Sequence, residues 1–141
     1  MALLTRSADA SIDAVSASVS SQISGGPNGQ GGALIAGEAL DAVAPCYIKA
    51  SDGKVYMSNG TSANEAASID GFTAKSRAAG QTVTLHGVGT VAYYADGGLT
   101  PGDRFFIGAT AGRLDDGATT GDAVGVAKAI NAYLIRIVRD A

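Results

Sequence analysis

The chain contains one strand-turn-strand pattern twice, and this pattern decides the fold. The first copy, LDAVAPCYIKASDGKV, spans residues 40–55, and the second copy, LTPGDRFFIGATAGRL, spans residues 99–114. We call them the first and the second cassette. At a separation of 59 residues, that of Leu40 from Leu99, apolar residues coincide with apolar residues and turn glycines with turn glycines: Tyr47 with Phe106, Ile48 with Ile107, Gly53 with Gly112 and Val55 with Leu114.

The correspondence continues beyond the two cassettes. Residues 69–74 match residues 123–128 at a separation of 54, which a shorter linker in the second copy explains, and residues 82–85 match residues 134–137. Residues 82–85 end the first half and residues 134–137 end the second, and both segments are runs of β-forming residues. We therefore predict one compact body built from two related halves.

The composition favours a single all-β domain. Of 141 residues, 46% are hydrophobic and 20 are glycine, while only 6% are aromatic and tryptophan is absent. Such a composition suits short strands joined by tight turns, and the length allows one core. The single cysteine, Cys46, cannot form an internal disulfide and is predicted to be a small buried hydrophobic residue.

Charge and hydropathy argue against two classes of partner. The net charge is −3 and the 10 lysines and arginines are scattered, so no basic stripe is available for nucleic acid. No apolar run approaches the ~18 residues of a membrane span, and the N-terminus lacks the features of a secretory signal. We expect synthesis in the cytoplasm, no membrane association and no nucleic-acid partner.

The N-terminal part differs in composition from the rest of the chain. Residues 1–32 are predicted to be an extended or partly helical arm that ends in a glycine-rich linker, and residues 33–141 are predicted to be the body. Six apolar residues of the arm are the candidates for binding a partner: Leu3, Leu4, Ile12, Val15, Val19 and Ile23.

Two interpretations of the arm are open. The last four candidates share one face of a helix, but serine, valine and isoleucine are weak helix formers. The arm is therefore either a frayed tail or a segment that orders on another protein. In the second case, deleting residues 1–32 should leave the melting temperature of the body nearly unchanged and weaken binding to the partner.

The body is predicted to consist of short strands. A hairpin with strands at residues 46–50 and 54–58 turns at Ser51-Asp52-Gly53, residues 64–67 form a single helical turn, and residues 69–74 form a strand. Two closing strands follow at residues 123–129 and 133–138. In the last strand, Tyr133, Ile135 and Ile137 are expected to face the core.

Residues 81–94 have the clearest alternation. It predicts that Val83, Leu85, Val91 and Tyr93 face the core, together with Gly87 and Gly89, and that His86 faces away. Two glycines in succession on one face are expected to bend this strand sharply or divide it in two. The corner of a curved or closed sheet requires such a feature.

The sequence contains no side chains with the spacing of an active site. His86, the only histidine, has no cysteine or carboxylate near it on its face and is predicted to be a surface residue. Candidate calcium ligands are the loop carboxylates, but their spacing fits no calcium loop and we predict solvated turn residues: Asp103, Asp115, Asp116 and Asp122.

Nucleotide sites are equally disfavoured. The glycine-rich linker is not followed by the Lys-Ser/Thr of a phosphate-binding loop, and Gly87-Val88-Gly89 lacks the third glycine and the helix of a dinucleotide site. We expect no enzyme activity, no cofactor and no metal.

Several turn and strand segments of the body carry a family resemblance: Gly37–Leu40, Tyr47–Ile48, Gly53–Tyr56, Ile69–Phe72, Ala79–Thr84, Leu99–Asp103 and Gly121–Ala129. Together they resemble the small capsid decoration, or head cement, proteins of tailed bacteriophages. The resemblance implies a β-barrel or β-tulip-like body on the outside of the head, commonly a homotrimer, that binds the major capsid protein and stabilises the shell. It implies no catalytic residues, and it does not extend to the arm.

The alternative is a head-fibre or tail-associated β module that binds a ligand or glycan. Glycan binders usually present an aromatic platform, whereas the tyrosines of this chain are dispersed in the sequence: Tyr47, Tyr56, Tyr93, Tyr94 and Tyr133. The sequence therefore favours a structural virion protein.

Overall fold

The computed structural model describes residues 3–12, 22–24, 34–61 and 64–139. The described strands follow in chain order: β1 (Ser11–Ile12), β2 (Gln22–Ser24), β3 (Pro45–Ile48), β4 (Val55–Met57), β5 (Gly71–Thr73), β6 (Thr84–His86), β7 (Val91–Tyr93), β8 (Arg104–Ile107), β9 (Leu114–Asp115), β10 (Ala127–Ala129) and β11 (Leu134–Ile137). A single 3₁₀ turn at Glu65–Ala67 confirms the predicted helical turn, and the Asn64 side chain caps it by accepting from the Ala66 amide at 3.0 Å.

The fold is all-β, as predicted. A curled half-barrel sheet and a second sheet make up the described part of the chain, which has no α-helix. The six-stranded sheet has the order β1-β7-β11-β10-β8-β9, and the five-stranded sheet has the order β2-β6-β5-β3-β4. The order β9-β8-β10-β11 in one sheet repeats the order β4-β3-β5-β6 in the other, so each half of the chain forms the same four-strand unit.

The two cassettes pair their strands in the same register. Ile48 lies opposite Val55 in the first cassette, and Ile107 lies opposite Leu114 in the second. Both turns contain a glycine with positive φ, 69° at Gly53 and 75° at Gly112, a conformation that costs a residue with a side chain about 1–2 kcal/mol. The repeat inferred from the sequence is therefore confirmed in the hairpins.

The later correspondences are displaced by two residues from their predicted alignment. Cys46 of β3 lies opposite Gly71, and its counterpart Phe105 of β8 lies opposite Ala127. Gly71 thus corresponds to Ala127, where the sequence match gave Gly125. The sequence match aligned two glycines that have different structural roles. Gly71 belongs to strand β5, whereas Gly125 precedes β10 and has a φ of 96°. By the same pairing, Leu85 corresponds to Ile135 rather than to Ile137.

The alternating segment at residues 81–94 is divided in two, as its glycines predicted. β6 belongs to the five-stranded sheet and β7 to the six-stranded sheet, and the turn between them contains Gly89 at φ 93°. The turn changes which residues face inward. Val83 and Leu85 are buried before it and Ala92 after it, whereas Val91 and Tyr93 are only half-buried, so their predicted core orientation is wrong.

The two halves share the larger of two apolar clusters. The larger apolar cluster contains Phe105, Ile107 and Ile135 of the second half, and Phe72 of β5 packs into it from the first half. A smaller cluster lies in the first half and includes Cys46, which is fully buried as predicted. Each large side chain buried in this way contributes about 1.5–3 kcal/mol before ordering costs.

The arm supplies an edge strand to each sheet. Ser11 of β1 lies opposite Tyr93, and Ile23 of β2 lies opposite Leu85. The predicted helix through Ile12 and Ile23 is therefore wrong at both ends. The unpaired amides and carbonyls of a sheet edge stabilise an extended segment, and the intrinsic helix propensity of the arm residues is weak. Val15 and Val19 lie outside the described residues, and so does the predicted boundary at residue 32.

Candidate functional site

The described beginning of the arm is bound to the protein's own cassettes. The Leu4 amide donates to the Leu114 carbonyl at 2.8 Å, and the Arg113 guanidinium donates to the Leu4 carbonyl at 2.7 Å. Arg6 donates to the Gly112 carbonyl at 2.7 Å and forms an ion pair with Asp41 at 2.6 Å. This segment therefore connects the second cassette to the first.

The six candidate arm residues have different environments. Leu4 and Ile12 pack against the protein's own core, where the sequence suggested contact with a partner. Leu3 is 40% exposed, and Ile23 contributes its backbone to β2. Capsid binding by the arm stays a prediction. These contacts favour a loss of stability when the arm is deleted, where the sequence predicted a nearly unchanged melting temperature.

A hydrogen-bonded turn with two exposed apolar side chains joins β10 to β11. Within residues 130–133, which we call the apolar turn, Ile130 is 44% exposed and Tyr133 is 48% exposed. The Asn131 side chain accepts from the amides of Tyr133 and Leu134, both at 2.8 Å. The predicted core orientation of Tyr133 is wrong, because the chain is still turning there and β11 begins at Leu134. Asn131 between two β-like runs was the signal for this turn.

A second tyrosine supports the apolar turn from β7. The rings of Tyr93 and Tyr133 stack with centroids 6.4 Å apart and an interplanar angle of 8°. The Tyr93 hydroxyl donates to Asp96 at 2.6 Å, and Asp96 also accepts from Ser7 at 2.7 Å. The hydrogen bond to Asp96 raises the pKa of Tyr93, and the same bond lowers the pKa of Asp96. Tyr93 is thereby held as a neutral donor that fixes the stacked pair.

Another tyrosine pair lies on the first cassette. The Tyr47 and Tyr56 ring centroids are 6.1 Å apart, and the Lys49 ammonium lies 4.9 Å from the centroid of Tyr56. The Tyr56 hydroxyl donates to Asp52 at 2.6 Å. Four of the five tyrosines, dispersed in the sequence, are thus paired in the structure, which removes one argument against a ligand-binding surface.

Two of the four loop carboxylates are buried, contrary to the prediction of solvated residues. Asp122 is 2% exposed and Asp115 is 3% exposed, whereas Asp103 and Asp116 are exposed. Asp122 accepts hydrogen bonds from the amides of Ile107 and Gly125 and from the Arg139 guanidinium. Its carboxylate therefore organises the loop before β10. The described residues contain no group of three or more histidine, cysteine or acidic side chains placed to hold a metal ion.

His86 is also buried where the sequence predicted a surface residue. It is 9% exposed and lies in β6, with β5 paired on one side and β2 of the arm on the other. Burial lowers the pKa of its imidazole. The sequence could not predict the neighbours of β6 in the sheet, because the pairing of β2 with β6 has no local signal in the sequence.

Comparison with family models, with curated proteins and with solved structures found no match to this chain. In the described part of the molecule, no helix has the length and apolar character needed to cross a bilayer.

Proposed function

We propose that the protein is a structural virion protein of a tailed bacteriophage, a capsid decoration protein that binds the outer surface of the head and stabilises it. The resemblance to that family supports the proposal. The segments that carry the resemblance form the turns and strands of the repeated halves, among them the Gly53 turn with β4 and the loop of Asp122 with β10.

The observation that carries the proposal is the apolar turn. Ile130 and Tyr133 are both exposed, and Asn131 and the Tyr93 ring hold the turn in place. Binding through a pre-ordered turn loses little conformational entropy, and tyrosine is among the residues enriched in the energetic centres of interfaces. The major capsid protein is the proposed partner of this surface.

Co-sedimentation with undecorated phage heads tests this proposal. Tyr133→Asp and Ile130→Asp each remove an apolar contact worth about 1.5–3 kcal/mol, so we expect each to weaken binding about tenfold or more. Val124→Asp is the matched control, because Val124 is 60% exposed and lies beyond the opposite end of β10. If all three variants bind as tightly as the wild type, the apolar turn does not contact the capsid.

We further propose that three copies assemble around threefold positions of the shell. In the described sheets, β1 and β2 are edge strands, and neighbouring copies would cover such edges. A map of the decorated particle should show trimers, and isolated copies away from any threefold position would contradict this assembly.

The tyrosine pairs favour a second candidate function, a ligand- or glycan-binding module of a head fibre or tail. Saccharide titrations discriminate between the two functions. Saturable saccharide binding that Tyr56→Ala abolishes, together with no binding to heads, would support the module and contradict the decoration protein.

A further inference from the structure

A cleft of about 250 Å³ opens beside β6. Its polar lining comes from β5, from the segment that follows β5, and from β6: Thr73, Lys75, Arg77, Thr84 and His86. No aspartate or glutamate contributes to the described lining. In a chain with a net charge of −3, this cleft is a local concentration of cationic and hydrogen-bonding groups.

His86, one of the residues that line the cleft, has an unpartnered side-chain nitrogen. The residue is 9% exposed, and its backbone is held in the ladder between Phe72 of β5 and Gln22 of β2. Its Nδ1 atom is buried and has no hydrogen-bond partner among the described residues. Buried polar atoms are nearly always paired in folded proteins, so this nitrogen has an unused capacity to form a hydrogen bond.

The two basic side chains of the cleft are also available. Among the described residues, the ion pairs are Arg6 with Asp41 and Arg139 with Asp122, and neither involves Lys75 or Arg77. Lys75 is exposed at the mouth and Arg77 is half-buried. A guanidinium presents a planar set of donors that matches the oxygens of a carboxylate or phosphate.

We propose that this cleft is a binding site for a small oxyanion, a phosphate or a carboxylate. Arg77 and Lys75 supply the positive charge, the His86 imidazole supplies an N–H donor, and the Thr84 hydroxyl supplies another. The volume lies below the ~300–1,000 Å³ of sites that enclose drug-sized ligands, which fits a single anionic group. The site is independent of the proposed attachment to a capsid.

The single histidine makes the site directly observable by NMR. Full-length protein is titrated with sodium phosphate, and separately with sodium acetate, at constant ionic strength maintained with chloride and at a pH below 6.5. We expect the imidazole carbon-bound protons of His86 to shift saturably with at least one of the two anions. The anion whose titration saturates at the lower concentration is the preferred ligand, and this result decides between a phosphate and a carboxylate.

Variants separate a specific site from general charge screening. Arg77→Gln and Lys75→Gln should each weaken the anion about tenfold, since a hydrogen bond to a charged group is worth roughly one factor of ten or more. Lys128→Gln removes the same charge from an exposed position in β10 and should leave the titration unchanged. Shifts that remain linear with both anions and match those in chloride alone would overturn the proposal, as would equal effects of Arg77→Gln and Lys128→Gln in correctly folded protein.

Discussion

Arg139 donates to the buried carboxylate of Asp122 at 2.8 Å, and this ion pair ties the end of the described chain to the loop before β10. Asp122 also accepts from the Ile107 amide at 2.8 Å. In the first half, Asp70 accepts from the amide of Ile48, the counterpart of Ile107, at 2.7 Å. Both halves thus use an aspartate to hold the same position of the cassette, and the second half adds an arginine.

Replacing these two aspartates should have unequal effects. Asp122→Asn places an amide N–H₂ against donors and breaks a buried ion pair, so we expect a loss of about 3–5 kcal/mol in the free energy of unfolding. Asp70→Asn affects a half-buried carboxylate with one amide partner and should cost about 1 kcal/mol. Chemical denaturation of both variants measures the difference, and equal losses would show that the Arg139 pair contributes nothing.

Truncation of the arm should destabilise the protein. Deleting residues 1–12 removes β1, the Arg6 ion pair and the packing of Leu4 and Ile12. We expect a loss of at least about 2–4 kcal/mol and a melting temperature lower by several degrees. Thermal melts of the two forms test this expectation. Unchanged melting would mean that the arm is not bound to the body in solution.

The sequence predicted most of what depends on local spacing. The hairpin at Gly53, its copy at Gly112 and the division of the strand near Gly89 are all short-range features, set by turn chemistry and by alternation. They could be recognised because a glycine with positive φ and the flanking apolar residues lie within a few positions of one another.

The features that the sequence did not predict depend on segments that are distant from one another in the chain. His86 is buried in β6, whose partner β2 lies more than sixty residues earlier in the chain. Asp122 is buried in a loop and accepts from the amide of Ile107 in β8. Likewise, Tyr93 and Tyr133 meet only when β7 and β11 pair. Without knowledge of which strands are neighbours, an isolated histidine or aspartate in the sequence is indistinguishable from a solvated one.

Gly60 lies at a close contact between the two halves. Its amide donates to the Gly108 carbonyl at 2.7 Å and its carbonyl accepts from Gly121 at 2.8 Å. An added Cβ would collide with the Ile107 carbonyl and the Thr119 side chain. We expect Gly60→Ala to cost about 2–3 kcal/mol or more, because backbone must move.

The matched control for this substitution is Gly53→Ala. Gly53 has a positive φ, but a Cβ added to it would meet no atom within 4 Å, so only the backbone strain of about 1–2 kcal/mol applies. Urea unfolding of both variants compares the two costs. A smaller loss for Gly60→Ala than for Gly53→Ala would contradict the close contact between the halves.

The burial of His86 should make stability depend on pH. In the unfolded chain the imidazole has its ordinary pKa of 6.5, and burial lowers the pKa in the folded protein. Below pH 6.5 the unfolded chain therefore binds more protons than the folded protein, and the free energy of unfolding falls as the pH falls. The contribution of His86 is fully present above pH 6.5 and is lost progressively below it.

The free energy of unfolding of the wild type and of His86→Asn is measured between pH 7.5 and 5.5 in buffer free of phosphate and carboxylate. The difference between the two proteins gives the contribution of His86. The wild type should lose more stability over this interval than the variant, and parallel curves would show that the pKa of His86 is the same in both states.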